Sequence, residues 1–386
     1  MQAPPSLDSI HRSDSRYVLL LENGSSFTGW GFGAARESAG EVVFTTSMNG
    51  YPELLTDPSY RGQILVIAQP LVGNYGVPVP ILNSGILENF ESENIQIRGL
   101  VVAECTDGMR WDSWCNLSTY LAAYDVPAIE GIDTRALVRL LRIHGTMNGI
   151  IAPADRAHSI STWEEYDSEN FCLETMPLQK VVHNPEGQST VAVLDFGVKH
   201  GILRRLAQMG YRIARVPPTL GVDALLSEEP SGIVISNGPG NPNLLSDEVG
   251  FVKELLECRI PILGICLGHQ LISMALGCSV TRLGYGHRGI NRAVLDLTDG
   301  GKYITSHNHG YAINFRSAPV SSWRPWFVAL EDGTIEGCLD DRRPIMSVQF
   351  HPESRPGAND TQWIFERFRR IICATAGKDI FPTGGR

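Results

Sequence analysis

The spacing of apolar positions along the 386-residue chain changes character near residue 190. Before that point the runs are short and alternating. Tyr17 to Leu21 and Ser26 to Trp30 flank Glu22-Asn23-Gly24-Ser25, where the Asn-Gly pair predicts a hairpin. Glu41 to Ser47, Gln63 to Ala68 and Leu100 to Glu104 read as further strands, and Leu117 to Tyr124 reads as a helix. The stretch Thr46 to Tyr60 is polar and broken by glycine and prolines, which predicts a long loop of the kind that carries binding residues. Asp133 is placed to cap a helix over Thr134 to His144, which Gly145 ends. Arg135, Arg139 and Arg142 fall at i, i+4 and i+7 of that helix, a basic face that is either solvated or turned to an acidic partner.

From about Pro153 to Gly187 the pattern loosens into polar and acidic residues ending in His183-Asn184-Pro185-Glu186-Gly187. This predicts a linker over 156–189 between an N-terminal domain at 17–155 and a C-terminal domain at 190–376. Beyond it strands and helices alternate. Thr190 to Leu194, Arg212 to Val216, Gly232 to Ser236 and Pro261 to Ile265 read as strands. Between and after them come helices at Lys199 to Met209, Val222 to Leu226, Glu248 to Cys258 and Leu267 to Leu276. Alternation at this spacing predicts an α/β fold with a mostly parallel, doubly wound sheet, beside a separate N-terminal α+β domain. Lys302 to Thr305, Phe327 to Glu331, Thr334 to Cys338 and Pro344 to Phe350 add strands, and Asp360 to Ala374 forms a closing amphipathic helix.

One junction in this pattern carries chemistry. Gly264-Ile265-Cys266-Leu267-Gly268 places Cys266 at a sharp strand-to-helix turn with glycines two residues to either side. Such a turn strains the nucleophile's backbone and tolerates only glycine-sized neighbours, and the helix that follows aims free N–H groups at the sulfur. A cysteine nucleophile needs a base, a group to orient that base, and donors for a developing oxyanion. Of ten histidines, His351 stands at the end of a predicted strand with Glu353 two residues on, and Pro352 holds the segment extended so both face one side. Asn237-Gly238-Pro239-Gly240 follows another strand and can bring backbone N–H groups to the same edge, with the N–H of Leu267 as second donor.

Composition narrows the class. A formal charge of −10, from 42 acidic against 32 basic residues, argues against a nucleic-acid partner. Eight cysteines without C-x-x-C spacing argue against a zinc site and fit free thiols in a reducing cytoplasm. The N-terminus lacks an apolar signal segment, and no apolar run reaches the about 18 residues that span a bilayer.

Gly264-Ile265-Cys266-Leu267-Gly268-His269-Gln270, Asn237-Gly238-Pro239-Gly240 and His351-Pro352-Glu353 resemble the three motifs of class I (triad) glutamine amidotransferases over roughly residues 190 to 374. Gly40-Glu41-Val42-Val43-Phe44, Thr46 to Tyr51, Leu55 to Tyr60, Gly73-Asn74-Tyr75-Gly76 and Gly131-Ile132-Asp133-Thr134-Arg135 resemble the N-terminal domain of the carbamoyl-phosphate synthetase small-subunit family. The resemblance implies that Cys266 attacks the glutamine carboxamide, His351 moves the proton, Glu353 orients His351, and Gly238 and Leu267 form the oxyanion hole. It places glutamine contacts on Ser59, Gly240, Gln270, Asn308, Gly310 and Tyr311, and a family lysine at Lys199. It also implies hydrolysis through a thioester to glutamate and ammonia, the latter used for carbamoyl phosphate in arginine or pyrimidine synthesis. The chain shows no P-loop, so ATP and Mg are expected on a separate large subunit, with no cofactor or metal in this chain. Two positions depart from the family. His307 stands where glutamine is usual before Asn-His-Gly, and Arg292-Ala293 replaces the usual His-Pro after Asn291. A subunit feeding another synthase, such as anthranilate or GMP synthesis, and a non-catalytic assembly module are the alternatives.

Overall fold

The computed structural model describes residues 15–156, 163, 166–315 and 320–377; the first fourteen residues and part of the expected linker lie outside them. The described residues form two units. The first runs to Phe171 and includes Leu283–Gly289, and the second holds Ser84–Ile86, Cys172–Arg282 and the residues from Ile290 onward.

The first unit is built on β1 (Arg16–Leu21), β2 (Ser26–Gly33), β3 (Ser38–Thr45), β4 (Gln63–Ile67), β5 (Gly99–Val101), β6 (Pro127–Glu130) and β7 (Met147–Pro153). They close into a barrel in the order β1-β7-β3-β4-β5-β6-β2, with β3, β4, β5 and β6 parallel in succession. Closure removes the exposed strand edges that an open sheet of this size would carry. Alternation then divides each strand between two cores. Val42 and Phe44 pack with Leu137 and Leu141 of helix Thr134–His144, whereas Val43 packs with Tyr120 and Leu121 of helix Leu117–Ala123. Asp133 caps the former as its spacing implies, its Oδ1 accepting from Ala136 N–H at 2.9 Å. Arg135, Arg139 and Arg142 are all exposed on that helix, the last with its guanidinium 5.7 Å over the Tyr285 ring.

The expected loop at Thr46 to Tyr60 is instead mostly ordered. Helix Tyr51–Thr56 begins after Gly50, which takes a left-handed φ of 78°, and has Pro52 in its first turn. A 3-10 turn, Pro58–Tyr60, follows, with the Asp57 side chain accepting from Ser59 N–H. Proline in a first helical turn loses no hydrogen bond, so the residues that read as breakers serve as a start signal. Tyr51, Leu54, Leu55 and Tyr60 supply the burial that holds the segment.

The second sheet is built from β8 (Val181–His183), β9 (Thr190–Leu194), β10 (Arg212–Val216), β11 (Gly232–Ile235), β12 (Ile262–Ile265), β13 (Ser279–Asp296), β14 (Lys302–Asn314), β15 (Trp323–Ala329), β16 (Ile335–Asp340) and β17 (Ile345–Val348), all in the second unit except Leu283–Gly289 of β13. The sheet order is β8-β10-β9-β11-β12-β17-β16-β15-β13-β14. The five strands β10-β9-β11-β12-β17 are parallel in succession. Contrary to a mostly parallel expectation, β8 pairs antiparallel with β10, and β17, β16, β15 and β13 are antiparallel in succession. The long β13 was not legible because Arg282, Gly284, Gly286 and His287 break its alternation.

Val191 and Val193 of β9 face Ile202, Leu203 and Leu206 of helix His200–Gln208 and Phe365 and Phe368 of helix Trp363–Thr375. Ala192 and Leu194 face the other way, onto Leu225, Val252, Leu271 and Ile272. Helices thus cover both faces of the parallel strands. Those strands end at one edge, which delivers Asp195, Ser236, Cys266 and, beyond β17, His351 together.

Candidate active site

Cys266 caps helix Leu267–Ala275 at φ 53° and ψ −102°, a conformation that costs an L-residue energy and persists only when its surroundings impose it. The imposing contacts are visible. A β-carbon on Gly264 would lie 2.8 Å from the Gly268 carbonyl oxygen, and one on Gly268 would lie 2.1 Å from that of Ile235. Glycine is therefore a steric requirement at both positions. The Cys266 N–H donates to Val348 O at 2.8 Å, which ties the elbow to the strand leading to His351. The thiol is buried, with Asn308 O accepting from Sγ at 3.8 Å and Gln349 Nε2 donating to it at 3.6 Å.

His351 is fixed through its backbone, its N–H donating to Ser306 O at 2.8 Å. Its Nδ1 lies 2.8 Å from Glu353 Oε1. An ionised carboxylate only accepts, so Nδ1 holds the proton, and Nε2 is the nitrogen available for the thiol's proton traffic. The same Oε1 lies 3.0 Å from Lys199 Nζ, and that ammonium also donates to Arg355 O at 2.9 Å. Lys199 is itself placed by Asn237, whose Oδ1 accepts from Lys199 N–H at 3.0 Å while its Nδ2 donates to Gly197 O at 2.9 Å. All four of these side chains are buried.

Burial alone would lower the basicity of His351, but Glu353 and the hydrogen-bonding Cys266 sulfur outweigh it against the opposing Lys199 charge, and its pKa stands at about 10. Burial would raise Glu353, yet the Lys199 ammonium and His351 hold its carboxyl far below the usual carboxylate range. The result is a charged relay, Lys199–Glu353–His351, ending beside a sulfur.

The loop after β11 reaches the same place. A β-carbon on Gly238 would meet Leu267 Cδ2 at 2.7 Å and Phe196 O at 2.8 Å, so this loop packs on the start of the helix that follows Cys266. Gly268 N–H donating to Ser236 O at 3.0 Å fixes the contact. Gly240, two residues beyond, takes a left-handed φ of 88°.

Of the other residues implied as glutamine contacts, Asn308, Gly310 and Tyr311 lie on β14, and the Asn308 carbonyl faces the sulfur. Gln270 Nε2 is occupied by the Tyr311 carbonyl and by Gln349 Oε1, both at 3.0 Å, so its amide braces the wall behind the thiol. Ser59 belongs to the first unit, in the turn capped by Asp57. Gln349 was not singled out from sequence, although it shares the strand-end face of His351 two residues on; that period-2 relation was the available signal. All eight cysteines are free thiols.

Residues 192–371 match the family described as glutamine amidotransferase class-I, and residues 19–151 match the carbamoyl-phosphate synthase small chain, CPSase domain. The chain belongs to the carbamoyl-phosphate synthase small-chain family. Its relatives are similar over nearly their whole length. The carbamoyl phosphate synthase small chain of Sulfurisphaera tokodaii is 48% identical over 360 residues, 93% of this chain and 97% of that one. That of Metallosphaera sedula is 46% identical over 362 residues, with the same two coverages. That of Pyrococcus furiosus is 41% identical and covers 92% of this chain and 97% of its own. Among the described residues no helix is long and apolar enough to cross a membrane.

Proposed function

We propose that this chain is the glutamine-hydrolysing subunit of a carbamoyl-phosphate synthase and that the reaction runs through a thioester on Cys266. The sulfur attacks the carboxamide carbon of L-glutamine. The oxygen takes up negative charge, and the N–H groups of Leu267 and Gly238 receive it; backbone donors serve well because they are aligned before the charge develops. His351, held protonated at neutral pH with its pKa at about 10, delivers a proton to the leaving nitrogen, and ammonia departs. The neutral imidazole then takes a proton from water as the water attacks the thioester, which releases glutamate, frees the Cys266 sulfur and leaves His351 protonated for the next turnover. Glu353 keeps the ring in one tautomer through both steps, and Lys199 keeps Glu353 ionised.

The ammonia passes to a separate large subunit that uses ATP and Mg, in keeping with the absence of a P-loop here. The observation that carries this reading is the buried Lys199–Glu353–His351 relay at the elbow of Cys266. Glutamine-dependent carbamoyl phosphate formation, measured with and without the large subunit, tests it. Cys266→Ser should abolish the glutamine-dependent rate while leaving synthesis from added ammonia. Full glutamine-dependent activity in Cys266→Ser would refute the assignment.

A further inference from the structure

A second buried cluster lies on β14 and β16, and the hydrolysis does not use it. His307 and His309 alternate with Asn308, so their side chains leave β14 on the side opposite Asn308's, and Glu336 of β16 meets them there. Three atoms converge. His307 Nδ1 and His309 Nε2 are 3.3 Å apart, and each is 3.5 Å from Glu336 Oε2. The side chains of His307 and Glu336 are fully buried, and that of His309 is 2% exposed.

The surrounding hydrogen bonds decide which of these nitrogens carry protons. His309 Nδ1 lies 2.9 Å from the Tyr311 carbonyl oxygen, which can only accept, so Nδ1 is protonated and Nε2 presents a lone pair. The Thr305 hydroxyl donates to Arg292 O at 2.9 Å, so at 2.6 Å from His307 Nε2 it must accept. That leaves His307 Nδ1 as a lone pair too. Two imidazole nitrogens and a carboxylate oxygen therefore converge in a dry interior, the donor set that suits a transition-metal ion.

The triangle has the size of a metal site. Its sides of 3.3, 3.5 and 3.5 Å put a common point about 2.0 Å from all three atoms, at the bond lengths zinc makes to imidazole nitrogen and carboxylate oxygen, about 2.0–2.2 Å. Edges of this length are those of a tetrahedral site, and the outer bonds from His309 to Tyr311 O and from His307 to Thr305 are the supports that fix ligand tautomers in such sites. We infer that His307, His309 and Glu336 bind a divalent transition-metal ion of the zinc type, with two imidazoles and one carboxylate as ligands. The lack of C-x-x-C spacing argues against a cysteine site and has no bearing on this one.

The ion would act on the amidotransferase centre by position. Ser306 O holds the His351 backbone and Asn308 O faces Cys266 Sγ, and these residues interleave with the two histidine ligands on β14. Binding at 307 and 309 thus pins the strand segment that forms one wall of the thiol.

The test is metal binding by the untagged full-length chain. After removal of metal by a chelator, the protein is titrated with zinc, and bound metal is read by elemental analysis; cobalt(II) is then substituted and its visible spectrum recorded. About one equivalent should bind per chain. The cobalt spectrum should show d–d bands of nitrogen and oxygen ligation with no thiolate charge-transfer band. His307→Gln and Glu336→Gln should lose the bound equivalent while keeping the wild-type circular dichroism. Thr305→Val retains all three ligands and should weaken zinc by about 10–100-fold. Failure of the wild type to bind, equal binding by His307→Gln, or a thiolate band in the cobalt protein would each overturn the inference, and a cluster held by a proton alone would give the first result.

Discussion

Lys199→Met removes one charge from the relay and leaves a side chain of similar length in its place. In the native site the ammonium lies 3.0 Å from Glu353 Oε1, with both groups essentially excluded from water. At an effective dielectric of about 20 a contact of that length is an attraction of about 5 kcal/mol. Glu353 keeps His351 at 2.8 Å as a charged partner, so the carboxylate is weakened rather than abandoned. Removing one member of a buried pair costs about 3–5 kcal/mol, and with His351 still in place the lower end applies, about 3 kcal/mol. Urea unfolding should register that loss. The kinetic consequence is separate. Lys199 opposes the protonation of His351, so without it the imidazole becomes more basic than its native value of about 10. In the proposed mechanism the step that needs a neutral ring, water attack on the thioester, then requires higher pH, and the limb of the kcat profile that reports it should move upward. Steady-state glutaminase kinetics across pH, beside the unfolding curves, gives both readouts. A variant that keeps wild-type stability within about 0.5 kcal/mol and an unmoved pH profile would refute the relay, leaving Lys199 only as a tie to Arg355 O.

Three further outcomes follow from the same geometry. His351→Asn should reduce kcat on the order of 10²-fold or more, and more than Glu353→Gln, because in the proposed mechanism the ring transfers protons in both half-reactions and the carboxylate only positions it; the reverse order would show the roles misassigned. Gly268→Ala should destabilise the chain by at least about 1–3 kcal/mol and cost activity out of proportion, since its β-carbon would lie 2.1 Å from the Ile235 carbonyl and must drive the helix off the strand; a folded, fully active variant contradicts the elbow. His351, with its folded pKa raised to about 10, holds a proton that the unfolded chain releases above about 6.5. Its stabilising contribution is therefore complete below that pH and is lost as pH rises toward about 10, so the stability gap between wild type and His351→Asn should narrow over that range; a gap independent of pH would refute the shift.

Local pattern was enough to point to the residues that the second sheet brings together at one edge. The Gly-x-Cys-x-Gly turn, His351 with Glu353 two residues on, and the Asn237 to Gly240 loop were each legible because they sit at strand ends, where period-2 and period-3.6 patterns meet and where sterics admit few residue types. The five parallel strands were legible for a related reason, their Val- and Ile-rich runs being buried on both faces. The antiparallel half of the second sheet was not, because β13 and β14 are long, polar and broken by glycine, and their pairing depends on residues distant in sequence. Barrel closure in the first unit and the helix at Tyr51–Thr56 escaped for the same reason: Pro52 is a breaker or a starter according to what Tyr51, Leu54 and Leu55 find to bury against. Tertiary structure alone supplied Gln349 at the thiol, the Lys199–Glu353 contact across more than 150 residues, and the convergence of His307, His309 and Glu336. Sequence determines which residues can do chemistry and on what local frame; which of them share a charge or a lone pair is decided only when the sheet brings distant strands within a few ångströms.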